Sequence, residues 1–495
     1  MDGFIIAREK DPRNKPGRPK TIDTQGILAV LYTLVCCADK ALLQRTIINQ
    51  TGGLPVLECI VTKFGGSSLA NDEQFRKVRS ILELEPTRRY LVPSAPGKRF
   101  REDDKVTDLL YKCFALASEG KSISEPFARI RDRYLSIAQG LHLKVDIVSH
   151  LDEVEQGIAS GRNKDWCASR GEYLCAILMA DYLGWKFVDA ADGVVFNDDG
   201  TLNSAKTQEK LSALLKDGQS AVVPGFYGAY ENGEVCTFSR GGSDITGALV
   251  ARAVNADVSE NWTDVSGFLM ADPRIIDGPA EISSITYKEL RELSHMGASV
   301  LHEDAMFPVR EAGIPTNIRN TNKPYHPGTM ISKNAPNEIS VPTITGIAGH
   351  KGYSVVSVEK TMMNSEVGFG RKVLQIFEDY GVSFEHMPTG IDSMCVVVES
   401  SALDPHRTEV LRDLEKLVEG CGSVSVSDNM SIIATVGRGM VHNCGTAARL
   451  FGAMSRARIN VRMIDQGSSE LSIIVGVNDS DFEATIHAIY HEFVG

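Results

Sequence analysis

The chain has 495 residues, 43% apolar and 23% charged, a globular composition with material for two to four domains. With 64 acidic against 52 basic side chains the formal charge is −12, so nucleic acid is not the expected main partner, although a local basic patch can hold an anionic nucleotide. The ten cysteines are scattered without a Cys-x-x-Cys pair, which indicates neither a zinc site nor a disulfide framework and fits reduced thiols in a cytoplasmic protein.

Residues 1–57 read as a poorly ordered extension. They hold a basic cluster, Lys15–Lys20, and an apolar run, Ile27–Cys37, that is too short to span a bilayer and lacks a clean signal cleavage site. No membrane partner is expected. The globular pattern begins near Glu58. Cys59–Phe64 reads as a buried strand, Gly65-Gly66-Ser67-Ser68 as a turn, and Asn71–Leu84 as a helix with Phe75, Val78, Ile81 and Leu82 on one face. Strand, glycine turn and helix make a phosphate-binding geometry, because the free N–H groups of the turn point at the ligand. The Walker and dinucleotide spacings are both absent. Lys63 ends the strand beside the turn, either within reach of a transferring phosphate or as an ordinary surface lysine.

A second strand, Tyr90–Pro93, leads into Ser94–Gly97 and then into a basic loop, Lys98–Lys105, to which the sequence assigns no role. Helices fill most of the stretch to Ser160. Ser169-Arg170-Gly171-Glu172 reads as the start of a helix over Tyr173–Leu183, where a first-turn glutamate is expected on dipole grounds alone. Strands at Phe187–Asp189, Val194–Phe196 and Ala221–Phe226, with a helix near Gln208–Leu215, give the grammar of an α/β domain with a largely parallel sheet.

Ser239–Arg274 is the most informative stretch. A tight turn, Ser239-Arg240-Gly241-Gly242-Ser243-Asp244, precedes an apolar helix at Ile245–Val254. A strand then ends in Thr263-Asp264-Val265, ahead of Ala271-Asp272-Pro273-Arg274. Glycines at a helix N-terminus beside an arginine read as an anion site, and equally as a plain turn and N-cap. Beyond it come a helix near Tyr287–Ser294, the segment Gly297–His302 with His302 in a structural or capping place, a helix to Ala312, a strand at Ile314–Arg319 and a linker near Asn334–Pro342.

The remainder repeats itself at an offset of 77 residues, which sets Val355–Val358 over Ile432–Thr435, Gly368 over Gly445, Val382–Phe384 over Ile459–Val461, and Val396–Val398 over Ile473–Val475. Each copy reads strand, helix, strand, strand, helix, strand, a ferredoxin-like order. The loop Met362-Met363-Asn364-Ser365 suits a small polar ligand, so the pair reads as regulatory, with structural padding or a dimer interface as the plain alternative.

Lys63–Ser68, the Ser94 turn, Gly171-Glu172, Arg240–Asp244, Thr263–Val265, Ala271–Arg274 and Val300-Leu301-His302 occur in an order that resembles the aspartate kinase family, and the repeats resemble its two ACT domains. The resemblance covers residue 58 to the C-terminus and implies an amino-acid-kinase fold, with a largely parallel central sheet between helices, over 58–335, followed by βαββαβ ACT domains at 343–425 and 426–495. It implies ATP-dependent phosphorylation of the L-aspartate β-carboxylate, Mg²⁺ as cofactor without a dedicated protein metal site, and the first step of lysine, threonine and methionine synthesis. It further implies lysine or threonine as effector and a homodimer or homotetramer through the ACT domains.

Residue by residue, the resemblance gives Lys63 and Asp244 the catalytic places. Ser94, Thr107, Glu172, Arg240, Gly241, Gly242 and Ser243 would face the substrate. Gly65, Gly66, Ser67, Thr263, Asp264, Asp272, Arg274 and Ser299, with Lys63, would face the nucleotide. Met363, Asn364, Ser365, Gly368, Phe369 and Asp392 would face the effector. The family often has lysine where Ser299 stands, so one expected cation is missing. Two other readings stand beside this one: a kinase for another acidic amino acid, and an amino-acid sensor with a degenerate kinase domain.

Overall fold

The computed structural model describes residues 57–239, 241–297, 303–333 and 342–495, with backbone alone at 303–306. The expectations for the extension (residues 1–56), Arg240, Ser299, His302 and linker residues 334–341 lie outside the described residues.

The first part runs β1 (Ile60–Phe64), α1 (Asp72–Glu83), β2 (Arg88–Pro93), α2 (Val106–Ser118), α3 (Ser124–Gly140), α4 (Ile147–Ala159), α5 (Lys164–Leu183), β3 (Lys186–Phe187), β4 (Val195–Phe196), α6 (Ser204–Leu215) and β5 (Ala221–Val222). It continues through β6 (Tyr227–Tyr230), β7 (Val235–Thr237), α7 (Gly242–Ala253), β8 (Val258–Thr263), β9 (Phe268–Leu269), β10 (Glu281–Ile282), β11 (Ser284–Thr286), α8 (Tyr287–His295), α9 (Glu303–Ala312), β12 (Thr316–Asn320) and β13 (Thr329–Ser332). Eight of these strands form one sheet in the order β11-β13-β12-β8-β1-β2-β5-β3. Every neighbouring pair is parallel except β12 with β13. A parallel sheet needs cover on both faces, which explains why β1 at its centre is a continuous buried run broken only at Lys63. One face carries the cluster of Phe75, Val78, Ile81 and Leu82 from α1 with α3, α4 and α5.

A buried charge network ties the central strands together. Glu260 on β8 accepts from Arg88 Nε of β2 at 2.8 Å and from Trp262 Nε1 at 2.9 Å, with Arg319 of β12 at 3.4 Å. Both guanidiniums also lie over the Trp262 ring, which stacks on Phe64. Burial alone would raise the Glu260 carboxyl, but the two arginines and the indole hold it below its ordinary value.

Two helices differ from expectation in a way that matters. Helix α5 starts at Lys164, capped by Asn163, which accepts from Trp166 N. Glu172 therefore sits inside a 20-residue helix that is buried almost all round, and the dipole account of it fails. Helix α7 starts at Gly242, three residues ahead of the apolar run, because Gly241 takes the left-handed conformation (φ 59°) and caps it. Ser243 and Asp244 thus belong to the first helical turn.

The second part runs β14 (Gly346–Lys360), α10 (Phe369–Asp379), β15 (Ser393–Glu399), α11 (Arg407–Leu417), β16 (Gly422–Val436), α12 (Thr446–Arg456), β17 (Met463–Asp465), β18 (Ser472–Asn478) and α13 (Phe482–Phe493). The two repeats share one sheet, β15-β14-β16-β18-β17. Helices α10 and α12 keep the 77-residue offset, and Gly368 and Gly445 both cap them with positive φ (84° and 87°). The offset does not persist to the third strands. Val396 pairs with Val356 and Val475 with Ile433, so the third strands lie 79 residues apart. Two extra residues preserve the alternation of faces, which is why the sequence match survives the shift. The second copy also departs from the expected order: its outer strand is Gly346–Lys351, paired to Ser431–Val436, and no strand follows α13. One 15-residue strand, β14, thus serves both copies, with Gly352 (φ 90°) at the irregularity between its halves.

The loop after Val436 corresponds by the offset to the Met362–Ser365 loop of the first copy, but here it is closed by the first part of the chain. Glu289, fully buried on α8, accepts from Arg438 N at 2.9 Å, Arg438 Nη1 at 3.0 Å and Thr345 Oγ1 at 2.6 Å. A Cβ on Gly439 would lie 2.2 Å from the Pro342 carbonyl oxygen. Removing the buried carboxylate takes the shared acceptor from Arg438 and Thr345 at once. Glu289→Ala is therefore expected to cost on the order of 3–5 kcal/mol, read as a lowered midpoint in chemical unfolding; a loss below about 1 kcal/mol would contradict this account of the junction.

Candidate active site

The parallel strands β1, β2, β8 and β12 end at one edge of the sheet, where ligands of open α/β sheets bind. Register places Lys63 beside Asn261 across β1 and β8. The Lys63 ammonium lies 2.6 Å from Asp244 Oδ1 and 3.5 Å from Asn261 Oδ1, while Asn261 Nδ2 donates to the same Asp244 oxygen at 2.8 Å. The three hold one another, so the ammonium is fixed at the strand end. Helix α7 can approach this closely because residue 247 is glycine: a Cβ there would sit 3.2 Å from the Lys63 Cβ. Gly242 and Gly225 play the same part at the helix N-terminus, where a Cβ would collide with Phe226 and with Ser243.

Gly65 and Gly66 follow Lys63. Gly65 N donates to Trp262 O at 3.0 Å, Ser94 N to Phe64 O at 3.1 Å, and Gly97 N to Gly66 O at 2.8 Å. Neither glycine of the interlocked pair tolerates a side chain, since a Cβ on Gly66 would lie 2.7 Å from Ala95 O and one on Gly97 2.6 Å from Gly66 C. The Gly65–Ser68 turn and the Ser94–Gly97 loop are thus locked to each other.

Glu172 lies against the same loop. Its neighbour Gly171 packs where a Cβ would meet the Ala95 Cβ at 2.8 Å and the Val106 Cγ1 at 3.5 Å, and Val106 N donates to Pro96 O at 3.4 Å. Ser94, Glu172 and Thr107, second residue of α2, are thereby brought to one corner. Glu172 is 5% exposed, and its Oε2 has no hydrogen-bond partner. Burial pushes the carboxyl up to about 8, against the opposing pull of the Ala95 backbone hydrogen bond, its own backbone N–H, Arg170 and Lys63. A buried carboxyl with one empty oxygen is set for a cationic group.

Past β8, Thr263 Oγ1 meets Asp264 Oδ1 at 3.2 Å. Asp272 and Arg274 form a fork, with Nη2–Oδ2 at 2.6 Å and Nε–Oδ1 at 3.0 Å, so this arginine is engaged with its neighbour while 87% exposed. Asp264, Asp272 and Arg274 line a cavity of about 1220 Å³, which Thr263 and Lys63 do not line. Among the described residues no group of three or more His, Cys, Asp or Glu side chains converges as a metal cage.

The first-copy loop is ordered from behind. Met362 (φ 60°) donates its N–H to Asp392 Oδ1 at 2.8 Å, Asn364 N to Ile391 O at 3.1 Å, and Ser365 Oγ to Met362 O at 2.8 Å. Gly368 caps α10 and Phe369 is buried in the core, so Phe369 supports the loop rather than facing it.

Sequence reasoning missed Asn261 and Gly247, and it marked the Ser94–Gly97 turn without giving Gly97 a part in it. Asn261 stands two residues before Thr263, but only the parallel register brings it beside Lys63.

Residues 58–320 match the amino acid kinase family, and residues 433–493 match an ACT domain. The chain is 37% identical to Aspartokinase 3 of Bacillus subtilis over 448 residues, 88% of this chain and 98% of that protein. Among solved structures, the aspartate kinase of Clostridium acetobutylicum is 49% identical, with a TM-score of 0.82, over 88% of this chain and 100% of that one. E. coli aspartokinase III, solved with aspartate and ADP, shares the fold at 23% identity and a TM-score of 0.65, over 88% of this chain and 100% of that one. With a parallel sheet that presents a lysine and a glycine turn at its carboxyl edge, and with relatives that match it over most of its length, the chain belongs to the aspartate kinases of the amino acid kinase family.

Proposed function

We propose that this chain transfers the γ-phosphoryl group of ATP to the β-carboxylate of L-aspartate and is feedback-regulated at the first ACT copy. The observation that carries the reading is the meeting of Lys63, the Gly65–Ser67 turn and buried Glu172 at one sheet edge. The nucleophile has an ordinary pKa near 3.9 and is ionised at neutral pH, so no general base is needed. One β-carboxylate oxygen attacks the γ-phosphorus, the bond to the bridging oxygen of ADP breaks, and ADP and 4-phospho-L-aspartate form. Catalysis is then positioning and charge neutralisation.

In this reading Lys63 takes charge from the transferring group and Asp244 with Asn261 aims it. Gly65, Gly66 and Ser67 cradle phosphate oxygens. Glu172 receives the substrate ammonium, Arg240 grips its α-carboxylate with Gly241, Gly242 and Ser243, and Ser94 and Thr107 close over it. Thr263, Asp264, Asp272, Arg274 and Ser299 hold the nucleotide. The donor set suits Mg²⁺ that arrives with the triphosphate, through an isolated carboxylate such as Asp264 and phosphate oxygens, rather than a resident ion. Arg274, exposed beside the cavity, is the cation placed to take the part expected at Ser299 once phosphate competes for its fork with Asp272.

For the effector, the polar rim at Asn364, Ser365 and Asp392, seated over buried Met363, supports a small amino acid, lysine or threonine, and E. coli aspartokinase III has been solved with lysine and aspartate. Exposed Met362, Val367 and Ile391 beside that loop support pairing of two chains through it. Among the described residues all eight cysteines are free and no helix is long and apolar enough to cross a membrane, which accords with a cytoplasmic enzyme.

With aspartate, Mg-ATP and hydroxylamine the protein is expected to form aspartyl hydroxamate, and Lys63→Ala to lower kcat by on the order of 10²–10³-fold. Hydroxamate from glutamate alone would favour a different acidic substrate, and binding without turnover would favour a sensor. The pH dependence has a fixed sign. Below about 8 the empty-site Glu172 is mostly protonated, and the ammonium binds its ionised form. The KM for aspartate should fall as pH rises from 6 to 8, by up to about tenfold per unit, and Glu172→Gln should raise KM and flatten this slope. A flat wild-type profile would remove the assignment.

A further inference from the structure

We propose that Arg133, on α3, is a positioning residue for phosphoryl transfer: it fixes the Gly97 loop and, through it, the phosphate turn. The inference rests on the kinase reading above and assigns a role to the basic loop Lys98–Lys105, which the reaction does not otherwise use.

The geometry is a chain of contacts with no slack. Arg133 is 3% exposed. Its Nη1 donates to Gly97 O at 2.6 Å and its Nη2 to Asp103 Oδ2 at 2.5 Å, with Asp104 O at 3.5 Å. Gly97 N in turn donates to Gly66 O, and the two glycines touch so closely that neither admits a Cβ. A shift at Gly97 is therefore a shift at Gly66. On the turn, Gly65 N is committed to Trp262 O and Ser68 N to Gly65 O, which leaves the N–H groups of Gly66 and Ser67 for phosphate oxygens.

Asp103 completes the clamp. It is buried and accepts from Arg99 N, Nε and Nη2 at 3.0, 2.8 and 3.0 Å, as well as from Arg133. The hydrogen bond from Arg99, with the charges of both arginines, holds its carboxyl well below the usual range. Each basic residue of this loop is thus read as a handle or a solvated neighbour of the clamp rather than as a nucleotide contact. The next residue on α3 reinforces the assignment: Tyr134 OH donates to Gly171 O at 2.7 Å, directly before Glu172. One turn of α3 thereby holds both walls of the transfer site. The Arg133 Nε has no partner among the described residues, so the guanidinium sits where its fork satisfies the loop and not where its own donors are all satisfied.

The interactions so fixed act on the group in flight, so their loss belongs in kcat. Arg133→Met and Arg133→Lys are compared with wild type in full-length protein, with circular dichroism and unfolding midpoints to count the folded fraction. Per folded enzyme, kcat is expected to fall at least tenfold in Arg133→Met and less in Arg133→Lys, which keeps the charge but cannot span Gly97 O and Asp103 together. The affinity for Mg-ADP, measured by calorimetry, should change less than threefold in both. Should Arg133→Met not fold, Arg133→Lys decides the matter alone. A kcat within twofold of wild type in the folded variant, or a loss explained wholly by folded fraction, overturns the proposal. Wild-type turnover is the reference for each ratio, so failure of the aspartate reaction itself appears in the wild type and not as a difference between variants.

Discussion

Burying a carboxyl without a counter-charge is costly, and this structure does it once at the heart of the site. Glu172 sits in the middle of α5, packed by Gly171 against Ala95, with one oxygen unpartnered. Asp244, the other acid of the site, is already matched by Lys63 and Asn261. The empty enzyme therefore holds one settled charge pair and one unsettled acid. In the proposed reading an amino-acid substrate brings the missing ammonium to the acid, while its β-carboxylate and the triphosphate bring anions to the lysine and the glycine turn. Substrate completes the electrostatics rather than displacing an existing balance, which is how a rigid polar site stabilises charge that develops during transfer.

Rigidity comes from glycine contacts as well as from bonds. Gly66 against Gly97, Gly171 against Ala95 and Gly247 against Lys63 each place backbone where a single methyl group would intrude. The buried Glu260 network beneath them fixes the strands from which the turns spring. At the far side, β14 runs unbroken from the strand beside Val436 to the loop of the first ACT copy, and the matching loop of the second copy is sealed onto α8 by Arg438 and Glu289. The second sheet is thus anchored to the catalytic part at one end and carries the loop proposed for the effector at the other.

Much of this was legible in the chain itself. Strand, glycine turn and helix at residues 59–84, the run after Gly241 and the 77-residue repeat are local patterns, and local patterns survive without knowledge of packing. What escaped depends on distant partners. Asn261 is polar and buried in a strand, unremarkable until register sets it beside Lys63. The start of α5 was placed too late because a helix buried all round has no polar face to mark its phase. The second copy's outer strand comes from ahead of the first copy, so reading in sequence order could not assign it. The basic loop at 98–105 had no role in the sequence reading because Arg133, which binds its Asp103, lies 30 residues further along the chain.

The central claim is that the substrate ammonium ionises Glu172. Calorimetric titration of aspartate at pH 7, repeated in buffers of different ionisation enthalpy, counts the protons exchanged on binding. With an empty-site pKa of about 8 the account predicts release of most of one proton per aspartate bound, abolished in Glu172→Gln. Binding with no net proton release in the wild type would contradict it.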